Sequence, residues 1–393
     1  MTYPTLTVPL HRTQHEFCHS DALYRAFCGG RGVGKSFIGA YDLMRRAKPR
    51  RLYGIYAPTY AMLKDTALRS LLAIGERLHF IRDVNKADMR VVLGNGAEVI
   101  LRSVDDPERA RGPNLSGAWL EEASLMPEEA YQIIIACLRE EGEAGWLSAT
   151  FTPKGRQHWT YRVFGLGGPN AALFHARTTD NPFLPPDFEA AVRAQYTEQF
   201  ARQELEGEFI DLQGTLFQRQ WFRVVERAPD GLSWTRYWDL AASTKTGGDY
   251  TTSAAVALAD DGTLYIRDMI RGRWEWPDAK RVLMTTMLSD VSVAHGIEEA
   301  LHGLAAVQEL AREPSLVNCT VRGIGVDKDK FSRALPWAAR AERGQVALVR
   351  GSWIEEFLAE VIAFPLGVHD DQVDTVSGGV QMLGRSHTGG IFV

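Results

Sequence analysis

The most constraining feature of this sequence is a glycine-rich loop between a predicted strand and a predicted helix. Residues 29–36 read Gly-Gly-Arg-Gly-Val-Gly-Lys-Ser, a full match to the phosphate-binding pattern G-x-x-x-x-G-K-[ST]. The apolar run 23–28 precedes the loop, and residues 37–44 follow it with helical spacing. Strand, loop and helix in this order are the context in which the pattern forms a phosphate site; the alternative is a glycine-rich turn followed by Lys and Ser by chance.

The loop residues suggest how a nucleoside triphosphate and Mg²⁺ would be held. Glycines let backbone N–H groups turn inward, and the following helix N-terminus adds positive potential. We expect Lys35 to reach the β- and γ-phosphates and the Ser36 hydroxyl to bind Mg²⁺. Arg31 has two interpretations, an arginine finger at the γ-phosphate or a solvent-facing loop residue. The predicted nucleotide-binding residues of the loop are Gly29, Gly30, Arg31, Gly32, Val33, Gly34, Lys35 and Ser36.

A pair of acids follows a second apolar run. The run 115–120 ends in Glu121 and Glu122, which places both carboxylates at the end of a predicted strand, where ligands collect in open α/β sheets. We expect Glu121 to hold Mg²⁺ through its waters and Glu122 to orient or deprotonate the attacking water. Acid pairs are also common on solvated surfaces, and the upstream loop is what favours the functional interpretation. Glu121 stands where Asp is usual and is one methylene longer.

Three further segments complete the prediction for the first half. The amide of Gln14, upstream of the first strand, is able to read an adenine edge because it donates and accepts hydrogen bonds. Residues 91–101 predict a hairpin in which Asn95-Gly96 supplies a type I′ turn. The predicted strand 146–151 ends among hydroxyl residues that would sense the γ-phosphate.

The second half places acids at strand ends and at the start of a helix. Asp239 ends the predicted strand 234–239 and Glu298 ends another, with a hairpin meander between them. Asp371 and Asp374 are spaced i, i+3 and share a face of a predicted helix. Convergent carboxylates bind Mg²⁺ or Mn²⁺, and two such ions about 4 Å apart support phosphodiester cleavage. Each acid alone fits a surface residue or a helix cap, and Asp370 fits an N-cap.

Composition sets broad limits. A chain of 393 residues is long enough for two domains, and no run approaches the roughly 20 apolar residues that cross a bilayer. The N-terminus lacks the pattern of a signal peptide, and four cysteines without C-x-x-C spacing favour a reducing cytoplasm. A net charge of −5 does not indicate nucleic-acid binding, nor does it exclude it, because basic patches coexist with clustered carboxylates.

The order of these motifs resembles the large terminase subunits of tailed bacteriophages, the ATP-driven motors that package DNA into proheads. The resemblance implies that Gln14 serves the adenine, that Arg31 is a finger in cis and that Ser148–Thr152 form a coupling motif. The residues that carry it in the first half are Gln14, Gly29–Ser36 with Arg31 inside, Ala57–Thr59, Arg111-Gly112, Leu120–Ala123 and Thr150–Gly155.

The rest of the chain resembles the linker and the RNase H-like nuclease of the same family. The helical pattern from 188 to 209, with Gly207 as its stop, resembles the linker. In the nuclease half the match includes Asp249–Thr251, Lys328 to Arg333 and Phe364 to Asp374. The resemblance implies a metal core of Asp239, Glu298 and Asp371, supported by Asp374 or Asp370, with His369 and Glu299 as weaker candidates. Lys328, Lys330 and Arg333 fit either DNA phosphate contacts or a solvated charged turn.

We therefore predict an α/β protein with a P-loop NTPase domain (1–178), a helical linker (179–215) and an RNase H-like nuclease domain (216–393). The expected cofactors are ATP with Mg²⁺ in the motor and two Mg²⁺ or Mn²⁺ ions in the nuclease. The resemblance implies double-stranded DNA, a small terminase subunit and a portal or prohead as partners, a ring on the portal, and the host cytoplasm as location. Two rival hypotheses are a cellular repair-type DNA translocase with a fused nuclease, and a P-loop assembly ATPase whose C-terminal acids are structural.

Overall fold

The computed structural model describes residues 7–168, 170–211, 216–241, 250–290, 292–300, 303–326 and 328–387. Asp249, one of the residues in the family resemblance, lies outside these ranges. The chain divides into two compact units, Met1–Arg193 with Glu198–Leu212 and Ala194–Thr197 with Gln213–Val393. Within the described ranges, no helix combines the length and apolar character that crossing a bilayer requires.

The first unit is built on an eight-stranded sheet with the order β3-β4-β5-β2-β6-β7-β1-β8. All strands from β5 to β8 in this order pair in parallel, and β3 and β4 form an antiparallel edge. The strand before the glycine loop and the strand that ends in the acid pair therefore lie on either side of β7. The strands are β1 (Tyr24–Gly29), β2 (Leu52–Ala57), β3 (Ile81–Asn85), β4 (Arg90–Leu93), β5 (Glu98–Ser103), β6 (Gly117–Glu121), β7 (Trp146–Phe151) and β8 (Ala171–Ala176).

The helices of the first unit include two π-helical segments, Leu63–Leu68 and Tyr161–Gly165. Short 3₁₀ turns lie at Pro107–Ala110, Ala123–Leu125, Glu140–Gly142 and Thr178–Asp180. The α-helices are α1 (Arg12–His19), α2 (Lys35–Arg46), α3 (Tyr60–Met62), α4 (Arg69–Arg77), α5 (Glu128–Cys137), α6 (Phe188–Arg193) and α7 (Glu198–Glu204).

Two local predictions for this unit needed correction. The hairpin of β4 and β5 is present, but its turn is not type I′. A type I′ turn needs positive φ at both central residues, and here Gly96 has a φ of +82° while Asn95 does not have a positive φ. The helical pattern 188–209 forms two short helices, and α7 ends at Glu204, before Gly207. The predicted linker segment contributes α6 and α7 to the first unit.

The second unit contains a seven-stranded sheet with the order β14-β13-β10-β11-β12-β15-β9. Its centre is the predicted antiparallel meander of β10, β11 and β12, and β13 joins β10 in parallel. The strands are β9 (Phe222–Val225), β10 (Trp234–Asp239), β11 (Thr251–Leu258), β12 (Leu264–Gly272), β13 (Ala294–Glu298), β14 (Val321–Ile324) and β15 (Val346–Val349).

The last helix of the second unit, α12 (Asp371–His387), packs directly on the seven-stranded sheet. The α-helices are α8 (Trp276–Ser289), α9 (Gly303–Leu310), α10 (Lys330–Glu342), α11 (Ile354–Val361) and α12 (Asp371–His387), with 3₁₀ turns at Arg219–Trp221 and Pro314–Leu316. Gly378 allows the close approach, because a Cβ there would lie 2.4 Å from the ring of Tyr237 in β10. In the first turn of α12, the backbone carbonyl oxygen of Asp371 accepts a hydrogen bond from Thr252 Oγ1 of β11 at 3.2 Å.

Candidate nucleotide and metal sites

The glycine loop has the backbone conformation that its sequence requires. Gly32 and Gly34 have φ of +77° and +88°, in the left-handed region that favours glycine. At Gly30 a Cβ would lie 2.2 Å from the carbonyl oxygen of Leu205, so the site also needs glycine for space. The helix α2 begins at Lys35, within the last two residues of the loop pattern, which places its first N–H groups at the loop.

Lys35 and Ser36 contact the loop and the acid pair. Lys35 Nζ donates to the carbonyl oxygens of Gly29 at 3.3 Å and Gly30 at 3.1 Å, and it lies 3.8 Å from Glu122 Oε1. The Ser36 hydroxyl donates to Glu121 Oε1. The structure thus brings together the cation, the hydroxyl and both carboxylates that the sequence singled out.

Glu121 is buried in a chain of polar side chains. Its side chain accepts a hydrogen bond from Thr150 Oγ1 at 2.6 Å, and Thr150 in turn accepts from Trp119 Nε1 at 2.8 Å. Burial, and secondly the charge of Glu122, raises the pKa of Glu121 to about 7, although Ser36 and Thr150 oppose the shift. A carboxylate whose ionised form is this poorly compensated fits a bound divalent cation.

Glu122, directly after β6, has an unusual backbone conformation. Its φ and ψ are both 49°, in the left-handed region. Its Oε2 accepts from the backbone N–H of Thr152 at 3.3 Å, which joins the ends of β6 and β7. Both acids, Lys35 and Ser36 line one cavity of about 590 Å³, which Thr152 and Lys154 also border.

Arg31 and Gln14 lie at the loop, each with a protein partner. Arg31 Nε donates to Glu204 Oε2 at 2.7 Å, and its backbone N–H donates to the Glu204 carbonyl oxygen at 2.7 Å. Gln14 is buried; its Nε2 lies 3.4 Å from the carbonyl oxygens of Val33 and Gly34. Glu204 was missed by the sequence reasoning, since no local motif marks a partner that is 173 residues away in the chain.

The four acids of the second half face one another. Asp239 and Glu298 end the neighbouring strands β10 and β13, whose register pairs the residues directly before them. Burial raises the pKa of Asp239 to about 8, and the charges of Glu298, Asp374 and Asp371 add to the shift. Such mutual repulsion among carboxylates fits a site for divalent cations.

Three of these acids also have a protein partner. Asp371 Oδ2 accepts from the backbone N–H of Tyr250 at 3.1 Å, and Tyr237 donates its hydroxyl to Glu298 Oε2 at 3.0 Å. Asp374 is bound by two cations, Lys330 and Arg333. In the part of the chain that the structure describes, no group of three His, Cys, Asp or Glu side chains is arranged to hold a metal ion as it stands.

The remaining candidates take different places. Asp370 pairs with Lys330 at 2.5 Å. His369 Nδ1 lies 4.0 Å from Asp371 Oδ2, and the His369 ring packs edge-on against Tyr250. Glu299 lies against Gly323 of β14, so the structure does not bring it into the cluster. Lys330 and Arg333 contact the acids, and Lys328 is exposed.

Comparison with known proteins gives matches in both halves. Residues 26–224 match the family model described as terminase large subunit, T4likevirus-type, N-terminal, and residues 236–383 match the terminase RNaseH-like domain. The PBSX phage terminase large subunit of Bacillus subtilis (strain 168) is 24% identical over 148 residues, 37% of this chain. That match spans about a third of the relative's length, 34%.

Solved structures share the fold over nearly the whole chain. The large terminase of a thermophilic bacteriophage superposes with a TM-score of 0.70 at 16% identity, covering 96% of this chain and 99% of that one. A second structure of the same phage protein, in complex with ADP, gives a TM-score of 0.70 at 16% identity over 95% and 99% of the two chains. The two family matches show that the chain belongs to the family of phage terminase large subunits, with the family's N-terminal domain and its RNase H-like domain, and the shared α/β fold agrees with them.

Proposed function

We propose that this chain hydrolyses ATP to move double-stranded DNA into a prohead and cuts the DNA concatemer with its second unit. The observation that carries the proposal is the cavity in which the glycine loop, Lys35, Ser36 and two carboxylates meet. The acid cluster of the second unit supports the cutting activity. Family membership supports both, because the two family domains correspond to the two sites.

In the proposed motor, each residue at the loop has a separate task. Lys35, which now donates to loop carbonyls, would donate to the β- and γ-phosphates, and Ser36 with Glu121 would hold Mg²⁺. The bound ion supplies charge neutralisation on the phosphates. Glu122, held by the Thr152 N–H, would orient the attacking water and accept its proton. Arg31 would move away from Glu204 and stabilise the γ-phosphate. Gln14 would bind the adenine or, as its contacts favour, stabilise the conformation of the loop.

In the proposed nuclease, Asp239, Glu298 and Asp371 would hold one divalent cation, and Asp374 would contribute to a second. Two such ions supply water activation and stabilisation of the leaving oxygen. The protein's own part is orientation: Tyr237 fixes the Glu298 carboxylate, and the Tyr250 N–H fixes that of Asp371. Lys328 is exposed and is a candidate contact for substrate phosphates.

Family membership supports a proposed assembly. It comprises a motor domain (1–178), a linker (179–215) and a nuclease domain (216–393), working with a small terminase subunit and docked as a ring on the portal in the host cytoplasm. Support comes from the family matches and from the linker residues that contact the glycine loop: Asn181, ahead of α6, donates to the Gly32 carbonyl oxygen at 2.7 Å, and Glu204 of α7 pairs with Arg31. These contacts support a linker that responds to the nucleotide.

One preparation of the full chain tests both activities. DNA-stimulated ATP hydrolysis and Mn²⁺-dependent plasmid cleavage are measured for wild type, Glu122→Gln and Asp239→Asn. We expect Glu122→Gln to lower ATP turnover by at least about 10²-fold while ATP still binds, and Asp239→Asn to abolish cleavage while ATP turnover persists. Each variant controls for the folding of the other. Wild-type turnover in Glu122→Gln would refute the motor assignment, and intact cleavage in Asp239→Asn would refute the nuclease site.

A further inference from the structure

We propose that Lys330 is an internal counterion of the acid cluster, and that it makes the two divalent cations bind with unequal affinity. The first ion would enter at Asp239, Glu298 and Asp371. The second would have to displace the Lys330 ammonium from Asp374. This inference rests on the proposed nuclease function and gives Lys330 a role toward the metal in place of one toward DNA.

The contacts of Asp374 carry the argument. Lys330 Nζ lies 2.9 Å from Asp374 Oδ2 and 2.5 Å from Asp370 Oδ1. Arg333 donates to the other Asp374 oxygen at 2.6 Å. Both oxygens of a carboxylate that is 1% exposed are therefore bound by cations of the protein itself. By contrast, Arg333 lies 3.8 Å from Glu298, beyond hydrogen-bonding distance.

The two cations differ in how readily they can leave. The side chain of Arg333 is only 8% exposed and lies in the first turn of α10. That helix is fixed to α12 by the hydrogen bond from Trp337 Nε1 to Ser377 Oγ at 3.0 Å, and at its start by the Asp329 cap. The Lys330 side chain is 50% exposed, so its flexible stem can carry the ammonium into water without moving the helix. Lys330 is therefore the exchangeable cation, and Arg333 is the fixed one.

A consequence follows for metal binding. An ion at Asp239, Glu298 and Asp371 would relieve the repulsion among these carboxylates. An ion at Asp374 and Asp370 must replace existing ion pairs, and its net gain is smaller by the strength of those pairs. Loss of the Lys330 charge should tighten the second step more than the first, because Lys330 contacts Asp374 and Asp370 directly and reaches Asp239 only through its charge.

The test is a calorimetric titration of the full, nucleotide-free chain with Mn²⁺, in wild type, Lys330→Gln and Lys280→Gln. Lys280 is the matched control, because it also bridges two carboxylates, Glu309 and Glu313, in the second unit. Asp239→Asn identifies which binding steps belong to the cluster. We expect two steps in wild type, with the weaker dissociation constant lowered about fivefold in Lys330→Gln and unchanged in Lys280→Gln, since a partly exposed pair contributes up to about 1 kcal/mol.

The outcomes distinguish a failure of the role of Lys330 from a failure of the proposed nuclease function. Equal weaker constants in Lys330→Gln and Lys280→Gln, or two equal steps in wild type, would overturn the role of Lys330 while leaving a metal site. If no Mn²⁺ step is lost in Asp239→Asn, the nuclease proposal itself fails. Circular dichroism of each variant checks that the fold is retained, and the exposed position of Lys330 favours retention.

Discussion

Each of the two sheets carries a buried arginine in the strand that leads to its site. Arg25 lies in β1 before the glycine loop, and Arg236 lies in β10 before Asp239. Both guanidinium groups also donate to a serine hydroxyl on a neighbouring strand, Ser148 at 3.1 Å and Ser253 at 3.3 Å. The two units thus position their sites from similar buried polar networks, and the difference lies in how the charge is neutralised.

Arg25 depends on one carboxylate, whereas Arg236 has two. Arg25 and Asp42 of α2 are both 0% exposed and pair at 2.5 Å, and among the described residues no second carboxylate pairs with Arg25. Arg236 pairs with Asp268 at 2.7 Å and with Asp290 at 2.8 Å. We therefore expect the loss of one carboxylate partner to destabilise the first unit, where Arg25 has no other. The loss of one partner of Arg236 should destabilise the second unit less.

The largest effect is expected for Asp42→Asn. The substitution keeps the volume but leaves Arg25 charged and uncompensated in the core, which should lower the free energy of unfolding of the first unit by about 3 kcal/mol or more. Urea titration with hydrogen exchange read on peptides from β1 and β7 measures it. A double variant, Arg25→Met with Asp42→Leu, removes both charges and should recover much of the loss. A single variant as stable as wild type would contradict the dependence on one partner.

The second expected effect is a loss of stability of the second unit at acid pH. His295 in β13 accepts a hydrogen bond from Trp238 Nε1 and lies near Arg236; burial first, and then that arginine, lowers the pKa of His295 from 6.5 to about 4. Because the fold favours the neutral imidazole, the contribution of His295 to the free energy of unfolding is fully present above pH 6.5. That contribution falls as the pH drops toward 4. The expected loss at pH 5 is about 2 kcal/mol.

Unfolding of the second unit at pH 7 and pH 5, followed on β10 and β13 peptides, checks this expectation. The substitution His295→Gln keeps an acceptor for Trp238 without the titration, so its change in stability from pH 7 to pH 5 should be about 2 kcal/mol more favourable than that of wild type. The same change in stability from pH 7 to pH 5 in wild type and in His295→Gln would show that His295 is not an acid-sensitive group.

A smaller effect is expected for Asp268→Asn, the counterpart of Asp42→Asn. Asp268 is one-third exposed and Asp290 still neutralises Arg236, so the loss should be about 1 kcal/mol. The same peptide-resolved urea titration applies. Adding Asp290→Asn removes the second partner, and the double variant should then lose more than the sum of the two single variants. Strict additivity would mean that the two carboxylates do not substitute for each other.

The sequence predicted what depends on contiguous residues. Eight successive residues define the glycine loop, and their flanks predicted β1 and α2, because backbone conformation and helix start are local properties. The strand ends at Glu121, Asp239 and Glu298 were also predicted, since an apolar run followed by an acid marks a strand end. The turn at Asn95-Gly96 was given the wrong type, because several turns place a glycine at positive φ.

Partners that are distant in the chain could not be predicted. Arg31 meets Glu204, and Lys330 meets Asp374, only after folding brings their elements together. The short strands β9 and β15, of four residues each, have no pattern that distinguishes them from buried turns or helix ends. The sequence therefore singled out residues that the structure brings together, such as Lys35 with Glu122, whereas partners such as Glu204 depend on tertiary contacts.

The smallest effect is expected at the loop itself, where the pair of Arg31 and Glu204 resembles that of Lys330 and Asp374. In both pairs a basic side chain of the site is held by a carboxylate.

Arg31 is 57% exposed, so Glu204→Gln should change the free energy of unfolding by no more than about 1 kcal/mol. If Arg31 is the finger, releasing it should raise ATP turnover, by up to about fivefold for that energy. Arg31→Ala should lower turnover in either background, and steady-state kinetics on the four variants decides. A fall in turnover with Glu204→Gln would instead mean that the carboxylate positions Arg31 for catalysis, so that the two pairs would have opposite roles: one holding a ligand position closed, the other holding a catalytic group in place.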